Sequence, residues 1–380
     1  MRILFWQEAF WPQVGGLATQ AESLLPALRQ RGHDIVVVTR QTTPELPRPD
    51  GWSDFALYRF PFWDVLHDGR PSAVLALQGE VDRLYRDFKP DVVHLSGFGP
   101  SALFVLQAQQ TSQAPLLVTL HSSNTLSAKR ATLFERTLAR ADWVSACSRA
   151  MLDAARDCVP AITQRSTVVY NGVPTPSAPP MPLPYAPSRL LSLGHLAEHK
   201  GYDLVLRAAP ALIARFPTLR IVLAGDGPAR ATLERHAREA GIAAAVEIPG
   251  LVPRTAVADL INRATVVVVP SRRESFGLVA VEAALLERPV VATRVGGLPE
   301  IVVHDETGLL VEPDDSAALA DAMAFLLDNP QMARRMGARA RTRAQRLFAV
   351  GSQCDAYVEL YEQIRASRGR RSSGGTSVRH

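Results

Sequence analysis

The sequence predicts an α/β fold made of two parallel-sheet domains, and three observations carry that reading. Short β-branched or aliphatic runs recur along the chain, each followed by a polar or glycine-bearing loop and then by helical periodicity. Strands buried on both faces of a parallel sheet alternate with crossover helices in this way. The clearest case is Thr265-Val266-Val267-Val268-Val269-Pro270, then a loop, a breaker-free stretch over 278–286, and Pro289-Val290-Val291-Ala292-Thr293, which together read as a βαβ unit. Between two such series lies VPTPSAPPMPLPYAPS, residues 173–188. Its prolines remove backbone donors and fix φ, so it forms neither helix nor central strand and reads as a stiff interdomain linker.

In chain order, 2–5 and 35–38 are strands with an amphipathic helix over 17–31 between them, and Gly32-His33-Asp34 is the exit turn. The opening run is interrupted by Gln7 and Glu8 and lacks a small-residue cleavage site, so it reads as a buried strand rather than a leader. Its loop, Pro12-Gln13-Val14-Gly15-Gly16, ends in two glycines that let a ligand approach the backbone and offer amides at a helix start. The stretch 51–70 is aromatic and irregular, with Trp52, Phe55, Tyr58, Phe60, Phe62 and Trp63, and reads as a small satellite core; an acceptor or membrane patch is the alternative. Strands follow at 90–95, 116–120 and 143–146. His94 and His121 stand at strand ends where α/β folds bind ligands, His121 leading into Ser122-Ser123-Asn124; a lone histidine is more often structural, and His94 is read as structural or as backing the site from behind. Asn171-Gly172 is a turn dipeptide. In the second half, strands at 189–192 and 219–224 lead into Gly194-His195-Leu196-Ala197-Glu198-His199-Lys200-Gly201 and Gly225-Asp226-Gly227-Pro228, and 246–248 leads into Gly250-Leu251-Val252. After Pro313 the spacing predicts helices over 316–327, 331–347 and 355–364, and an Arg/Ser/Gly-rich end from 367 that reads as disordered.

At 380 residues the chain is long enough for two cores, and 47% hydrophobic with 21% charged residues is a soluble globular composition. Cys147, Cys158 and Cys354 are too few and too scattered for a disulfide framework or a zinc site, so a reducing, cytoplasmic setting is expected. A net charge of +5 arises in part from late arginine clusters, and no basic stripe interleaved with aromatics argues for nucleic acid. Those clusters read as solvated faces, with peripheral membrane contact as the second reading.

The chemistry concentrates in SRRESFGLVAVEAALLERPVVATRVGGLPE, residues 271–300. A helix starting near Gly277 presents unpaired N–H groups and a partial positive charge, where anions bind. Glu274 and Glu282 bracket that position, and ionised carboxylates accept hydrogen bonds from hydroxyl pairs of the kind a sugar or ribose offers. Taken singly, each glutamate is more often a loop charge or a solvated helix face. Together with Ser275-Phe276-Gly277, Gly296-Gly297 and Glu300 on a strand-loop-helix frame, they resemble the E-x7-E signature of retaining glycosyltransferases of family 4, which have the GT-B fold.

The resemblance implies two Rossmann-like domains whose parallel sheets face an interdomain cleft: 1–172 for the acceptor, 173–188 as linker, 189–350 for the nucleotide-sugar donor, 351–366 crossing back, and 367–380 as a basic tail. It implies that Glu274, His121 and Lys200 are catalytic. It implies a donor site of Gly15, Gly16, His195, Lys200, Glu274, Phe276, Gly277, Leu278 and Glu282, with Glu282 on the ribose and the amides of Phe276, Gly277 and Leu278 on the diphosphate. The partners implied are a nucleotide-diphosphate sugar and a sugar, lipid-linked or small-molecule acceptor, with retention by front-face attack. No cofactor is expected, and with no Asp-x-Asp loop neither is a metal. One departure stands out: the family pattern carries arginine after the glycine at Gly194, where this chain has His195. Because histidine titrates near neutrality, donor binding is expected to weaken as pH rises through the His195 pKa. A nucleotide-sugar epimerase of the same fold and a catalytically silent nucleotide-sugar sensor are the competing readings.

Overall fold

The structure is a computed structural model that describes residues 1–11, 15–41, 55–122 and 131–373. It divides into two units, Met1–Gly172 with Val350–His380, and Val173–Ala349. Pro12-Gln13-Val14, Trp52, Ser123-Asn124 and the tail beyond 373 lie outside the described residues.

Unit 1 is a seven-stranded, all-parallel sheet: β1 (Arg2–Trp6), β2 (Asp34–Arg40), β3 (Ala56–Phe60), β4 (Val92–Ser96), β5 (Leu116–Leu120), β6 (Trp143–Ala146) and β7 (Ser166–Val168), ordered β3-β2-β1-β4-β5-β6-β7. Its helices are α1 (Gly16–Gln30), α2 (Phe62–Asp68), α3 (Pro71–Phe88), α4 (Ala102–Ala108), α5 (Ala131–Arg140) and α6 (Arg149–Cys158). β4 and β5 are buried at every position, as strands covered on both faces must be. One face packs Leu4, Val93 and Val118 under α3, α4 and α6. The other packs Ile3, Phe5 and Val37 under α1 and the last helix.

The aromatic stretch is more ordered than its sequence suggests. Ala56-Leu57-Tyr58-Arg59-Phe60 pairs in register with β2 as an edge strand, and Phe55, Phe60 and Phe62 enter the two main cores rather than a satellite. Only Tyr58 and Trp63 of this group stay exposed among the described residues. Half-burial on an edge gives the mixed aromatic and polar pattern that resembles a loop.

Unit 2 is a six-stranded parallel sheet: β8 (Arg189–Leu193), β9 (Arg220–Ala224), β10 (Val246–Glu247), β11 (Val266–Val269), β12 (Val290–Thr293) and β13 (Gly308–Val311), ordered β10-β9-β8-β11-β12-β13. Its helices are α7 (Tyr202–Arg215), α8 (Arg230–Glu239), α9 (Arg254–Asn262), α10 (Leu278–Leu285), α11 (Leu298–Ile301), α12 (Ser316–Asp328) and α13 (Pro330–Leu347). Both sheets reverse their winding once, between β1 and β4 and between β8 and β11. In doubly wound sheets the crevice beyond the strand ends at such a point is where ligands bind.

Two segments differ in detail from what composition suggests. Residues 173–188, expected as a stiff linker, form neither helix nor sheet strand and lie as a strap fixed on unit 2: Met181 N donates to Asn262 Oδ1 at 3.2 Å, Asn262 Nδ2 to Pro179 O at 2.9 Å, and Thr265 Oγ1 to Pro184 O. The buried Arg288 guanidinium closes the strap by donating to Met181 O and to Ala264 O. Prolines still leave their carbonyls as acceptors, and these carbonyls supply the anchoring. The last helix, α14 (Val350–Ser373), runs through residues 367–373, where composition suggested disorder. Arg368 helps to hold it, donating to Asp142 at 2.6 Å and to Ser112 O at 3.3 Å.

Candidate functional site

In unit 2 the loop after β8 and the loop after β11 meet at the reversal of winding. The first tightens into a 3-10 turn, Glu198–Lys200, capped by Gly201 at φ +67. A Cβ on Gly201 would sit 2.0 Å from Pro270 O, so only glycine lets the two loops close. Arg272 N and Arg273 N then both donate to His199 O, at 2.8 and 3.3 Å. The consequence is a direct pair: Lys200 Nζ donates to Glu274 Oε2 at 2.7 Å, and Ser271 Oγ reaches the same oxygen at 3.4 Å. Both side chains are mostly shielded, at 26% and 14% exposure, which strengthens the pair relative to one in open water.

The loop after β11 ends in Gly277, the N-cap of α10, at φ +112 with no side chain to cap the helix. The first intrahelical bonds run from Ala280 N and Val281 N back to Gly277 O, so the amides before them have no partner within the helix. Gly296, at φ +52, comes so close that a Cβ would sit 1.6 Å from Glu274 O, and Gly297 N donates to that same carbonyl at 3.2 Å. The glycine pair therefore buttresses the loop that carries Glu274. Phe276 is buried against Phe348, ring edge to face at 5.6 Å, so the residue before the N-cap is fixed by packing.

Glu282 lies in α10. Burial pushes its carboxyl up to about 7, and the charge of Arg254 offsets part of that. Desolvation thus disfavours its charged form. His195 is exposed in the loop after β8. His199 is held below its usual value by burial, then by the charges of Lys200 and Arg273. Asp226 accepts from Gly227 N at 2.8 Å and faces Arg230 at 3.7 Å, which makes it a turn residue first.

Unit 1 holds the remaining predicted residues. Gly15 caps α1 in extended backbone and Gly16 is the helix's first residue. His121 follows β5; its Nε2 lies 3.2 Å from Ser96 Oγ, which donates to Gln7 Oε1 at 3.0 Å, while Gln7 Nε2 donates to Leu17 O at 3.2 Å. That relay ties the ends of β1, β4 and β5 to the start of α1. Burial lowers His121 to about 4, with Asn171 opposing, so the imidazole is neutral at neutral pH. Nδ1 of His121 and Oδ1 of Asn171 are both buried without a hydrogen bond of good geometry. His94 is structural: fully buried, lowered by burial to about 3, it sits 2.7 Å from Tyr361 Oη on α14 and 2.7 Å from Thr119 Oγ1. A cavity of about 180 Å³ opens beside the relay, lined by Gln7, Glu8, Leu17, Arg40, Trp63 and Ser96. Glu8 is fixed there by Trp63 Nε1 at 2.9 Å and Ser101 N at 2.6 Å.

The model of the family described as Glycosyltransferase Family 4 matches residues 14–177, and that of Glycosyl transferases group 1 matches residues 182–343. Over 416 residues the chain is 31% identical to D-inositol 3-phosphate glycosyltransferase of Kineococcus radiotolerans, covering 96% of this chain and 94% of the relative. The chain belongs to glycosyltransferase family 4. This glycosyltransferase is also 29% identical over 402 residues to glycogen synthase of Mycobacterium tuberculosis, covering 98% and 96% of the two chains. Its fold is that of sucrose-phosphate synthase from Thermosynechococcus elongatus, with a TM-score of 0.82 at 24% identity over 96% of this chain and 99% of that one. The predicted GT-B architecture of two Rossmann-like domains is the one observed.

The glycosyltransferase reveals site residues that its sequence did not single out. Ser271, Arg272 and Ser96 carry no motif of their own, and only the pairing of distant loops exposes them. Gln7 and Glu8 register in the sequence only as the interruption of an apolar run. Among the described residues no three His, Cys, Asp or Glu side chains converge as a metal site requires, and no helix is long and apolar enough to cross a membrane.

Proposed function

We propose that this glycosyltransferase moves a sugar from a nucleotide-diphosphate sugar to an acceptor hydroxyl with retention at the anomeric carbon, and that unit 2 holds the donor. The observation that supports this most is the Lys200–Glu274 pair at 2.7 Å beside the uncapped start of α10. A diphosphate set over the amides of Phe276, Gly277 and Leu278 meets the positive end of the helix. Lys200 adds a point charge to the same anion, and His195 adds a donor. Glu274 then accepts from a hydroxyl of the transferred sugar, and Glu282 from the ribose hydroxyls.

The demanding event is departure of the nucleoside diphosphate, whose charge grows on the phosphate oxygen. Fixed donors aimed at that oxygen stabilise the transition state without reorganising. The C1–O bond to phosphate breaks with its electron pair leaving on phosphate. The acceptor oxygen bonds to C1 from the same face, and its proton passes to the departing phosphate oxygen. No enzyme carboxylate needs to attack carbon. The acceptor side falls to unit 1, where Gly15, Gly16 and neutral His121 offer hydrogen-bonding groups without charge, and where the cavity beside Glu8 and Trp63 is sized for a sugar ring or a polyol.

A thermal-shift screen of nucleotide sugars, followed by product analysis with and without acceptor, tests the reading. A donor that raises the melting point by mass action and is consumed only with acceptor, giving the retained anomer, supports it. Donor consumption without acceptor favours an epimerase. Saturable binding with no turnover on any acceptor favours a sensor.

A further inference from the structure

Arg272 has no part in the scheme above, yet it is the most heavily anchored side chain near the donor loops. Its Nη1 and Nη2 take both oxygens of Asp203, each at 2.8 Å, in a parallel fork. Nη1 also donates to Glu198 O at 2.9 Å, and Nε donates to Asp314 Oδ1 at 2.5 Å. Three separate segments converge on one guanidinium: the 3-10 turn that carries Lys200, the first turn of α7, and the loop ahead of α12. Asp203 is only 18% exposed, and a second cation, Arg207, lies 3.1 Å from it.

Lys200 sits on a four-carbon stem in one loop and Glu274 stands two residues after Arg272 in another. Backbone bonds from Arg272 N and Arg273 N to His199 O join the two loops at one point, and the Arg272 side chain extends that join to α7 and to the loop ahead of α12. A planar, five-donor fork can satisfy acceptors in three directions at once, whereas an ammonium cannot hold the same geometry.

We propose that Arg272 is a positioning residue for sugar transfer: it clamps the loop after β11 onto the loop after β8 and thereby fixes Lys200 Nζ on Glu274 Oε2. The inference rests on the functional reading above. A catalytic group displaced by about 1 Å can lose on the order of 10²-fold in rate, so a clamp that never touches substrate governs turnover.

The test compares Arg272→Gln, Arg272→Lys and Asp314→Asn with Arg215→Gln, which removes an ion pair to Asp328 in the same unit but away from these loops. Asp314 is 62% exposed with φ +62, a conformation asparagine tolerates, so that variant keeps the fold if Arg272→Gln does not. Two quantities are read: the rate of reductive methylation at Lys200, by mass spectrometry, and the Kd for UDP, GDP and ADP. Both Arg272 variants are expected to speed Lys200 labelling at least fivefold and to weaken the diphosphate that binds wild type at least tenfold. Asp314→Asn should show a smaller change of the same sign, and Arg215→Gln none. Wild-type labelling and Kd in Arg272→Lys overturn the fork, and unchanged values in Asp314→Asn and Arg272→Gln together overturn the clamp. If wild type binds no nucleoside diphosphate, the functional reading falls and takes the role in transfer with it. Labelling that nonetheless responds to Arg272 would show that the failure lay in that reading and not in the clamp.

Discussion

The two sheets present different chemistry at equivalent places. In unit 2 the reversal of winding carries opposite charges in contact, Lys200 on Glu274 and Arg272 on Asp203, packed by glycines that admit no side chain. In unit 1 the same region carries the neutral imidazole of His121 on Ser96, with Glu8 beside it held by the neutral donors Trp63 Nε1 and Ser101 N. Fixed charges suit an anion whose charge grows during reaction, while neutral donors and acceptors suit hydroxyl groups. The contrast teaches that one doubly wound frame supports either role, and that side chains at the strand ends decide which.

The contrast breaks most visibly at Lys200. Lys200→Ala should lower turnover by roughly 10²–10³-fold, the scale of losing one preorganised donor to a developing oxyanion. Steady-state rates at saturating acceptor check this, and a loss below threefold would remove the charge argument from unit 2. Gly296→Ala comes next. The new methyl must displace Glu274 O, 1.6 Å away, at a φ that side chains disfavour, so destabilisation by about 3 kcal/mol is expected in a denaturant melt of the variant.

Glu282 sharpens the comparison through pH. Its folded-state value of about 7 exceeds the ordinary 4.5, so its contribution to stability is full below about 4.5 and is lost as pH rises through 7. Glu282→Gln should therefore melt higher than wild type at pH 8.5, by about 1–3 kcal/mol, and lose that advantage at pH 5. Equal melting points at both values would show that the carboxyl is well solvated. Donor binding gives the opposite sign. Ribose hydroxyls favour the carboxylate, so affinity should rise with pH through 7; calorimetry from pH 6 to 8.5 checks this, and a flat profile contradicts it. In unit 1, His121 at about 4 and His94 at about 3 stay neutral over that range, so neither should contribute an inflection there. The smallest effect belongs to Tyr361→Phe. It leaves His94 Nδ1 without its partner and should cost about 1–2 kcal/mol of unit 1 stability by the same melt.

How much of this was legible in the sequence follows the same division. The loop of Glu274, Gly277 and Gly296-Gly297 is local, so its residue types and spacing show the strand-loop-helix frame and its tight glycine contacts in the sequence itself. Arg272 was invisible because its partners Asp203 and Asp314 lie 69 and 42 positions away. β3 was missed because an edge strand alternates burial among aromatics and does not read as a buried run. The strap at 173–188 was readable as lacking helix or strand, but which surface receives its carbonyls depends on Asn262, Thr265 and Arg288, and proline content says nothing of these. In unit 1 His121 was legible by its place just after β5, whereas His94 lies in the middle of β4 and serves the core. Their neutrality was not legible, because burial is a property of the packed fold.

Turnover of Glu274→Ala at saturating donor addresses the donor site most directly, since saturation removes any loss of ground-state affinity from the comparison. With Lys200 freed from its partner and the sugar hydroxyl left without its acceptor, the rate should fall at least a hundredfold while nucleoside diphosphate still binds. A variant that transfers sugar at the wild-type rate would contradict the account.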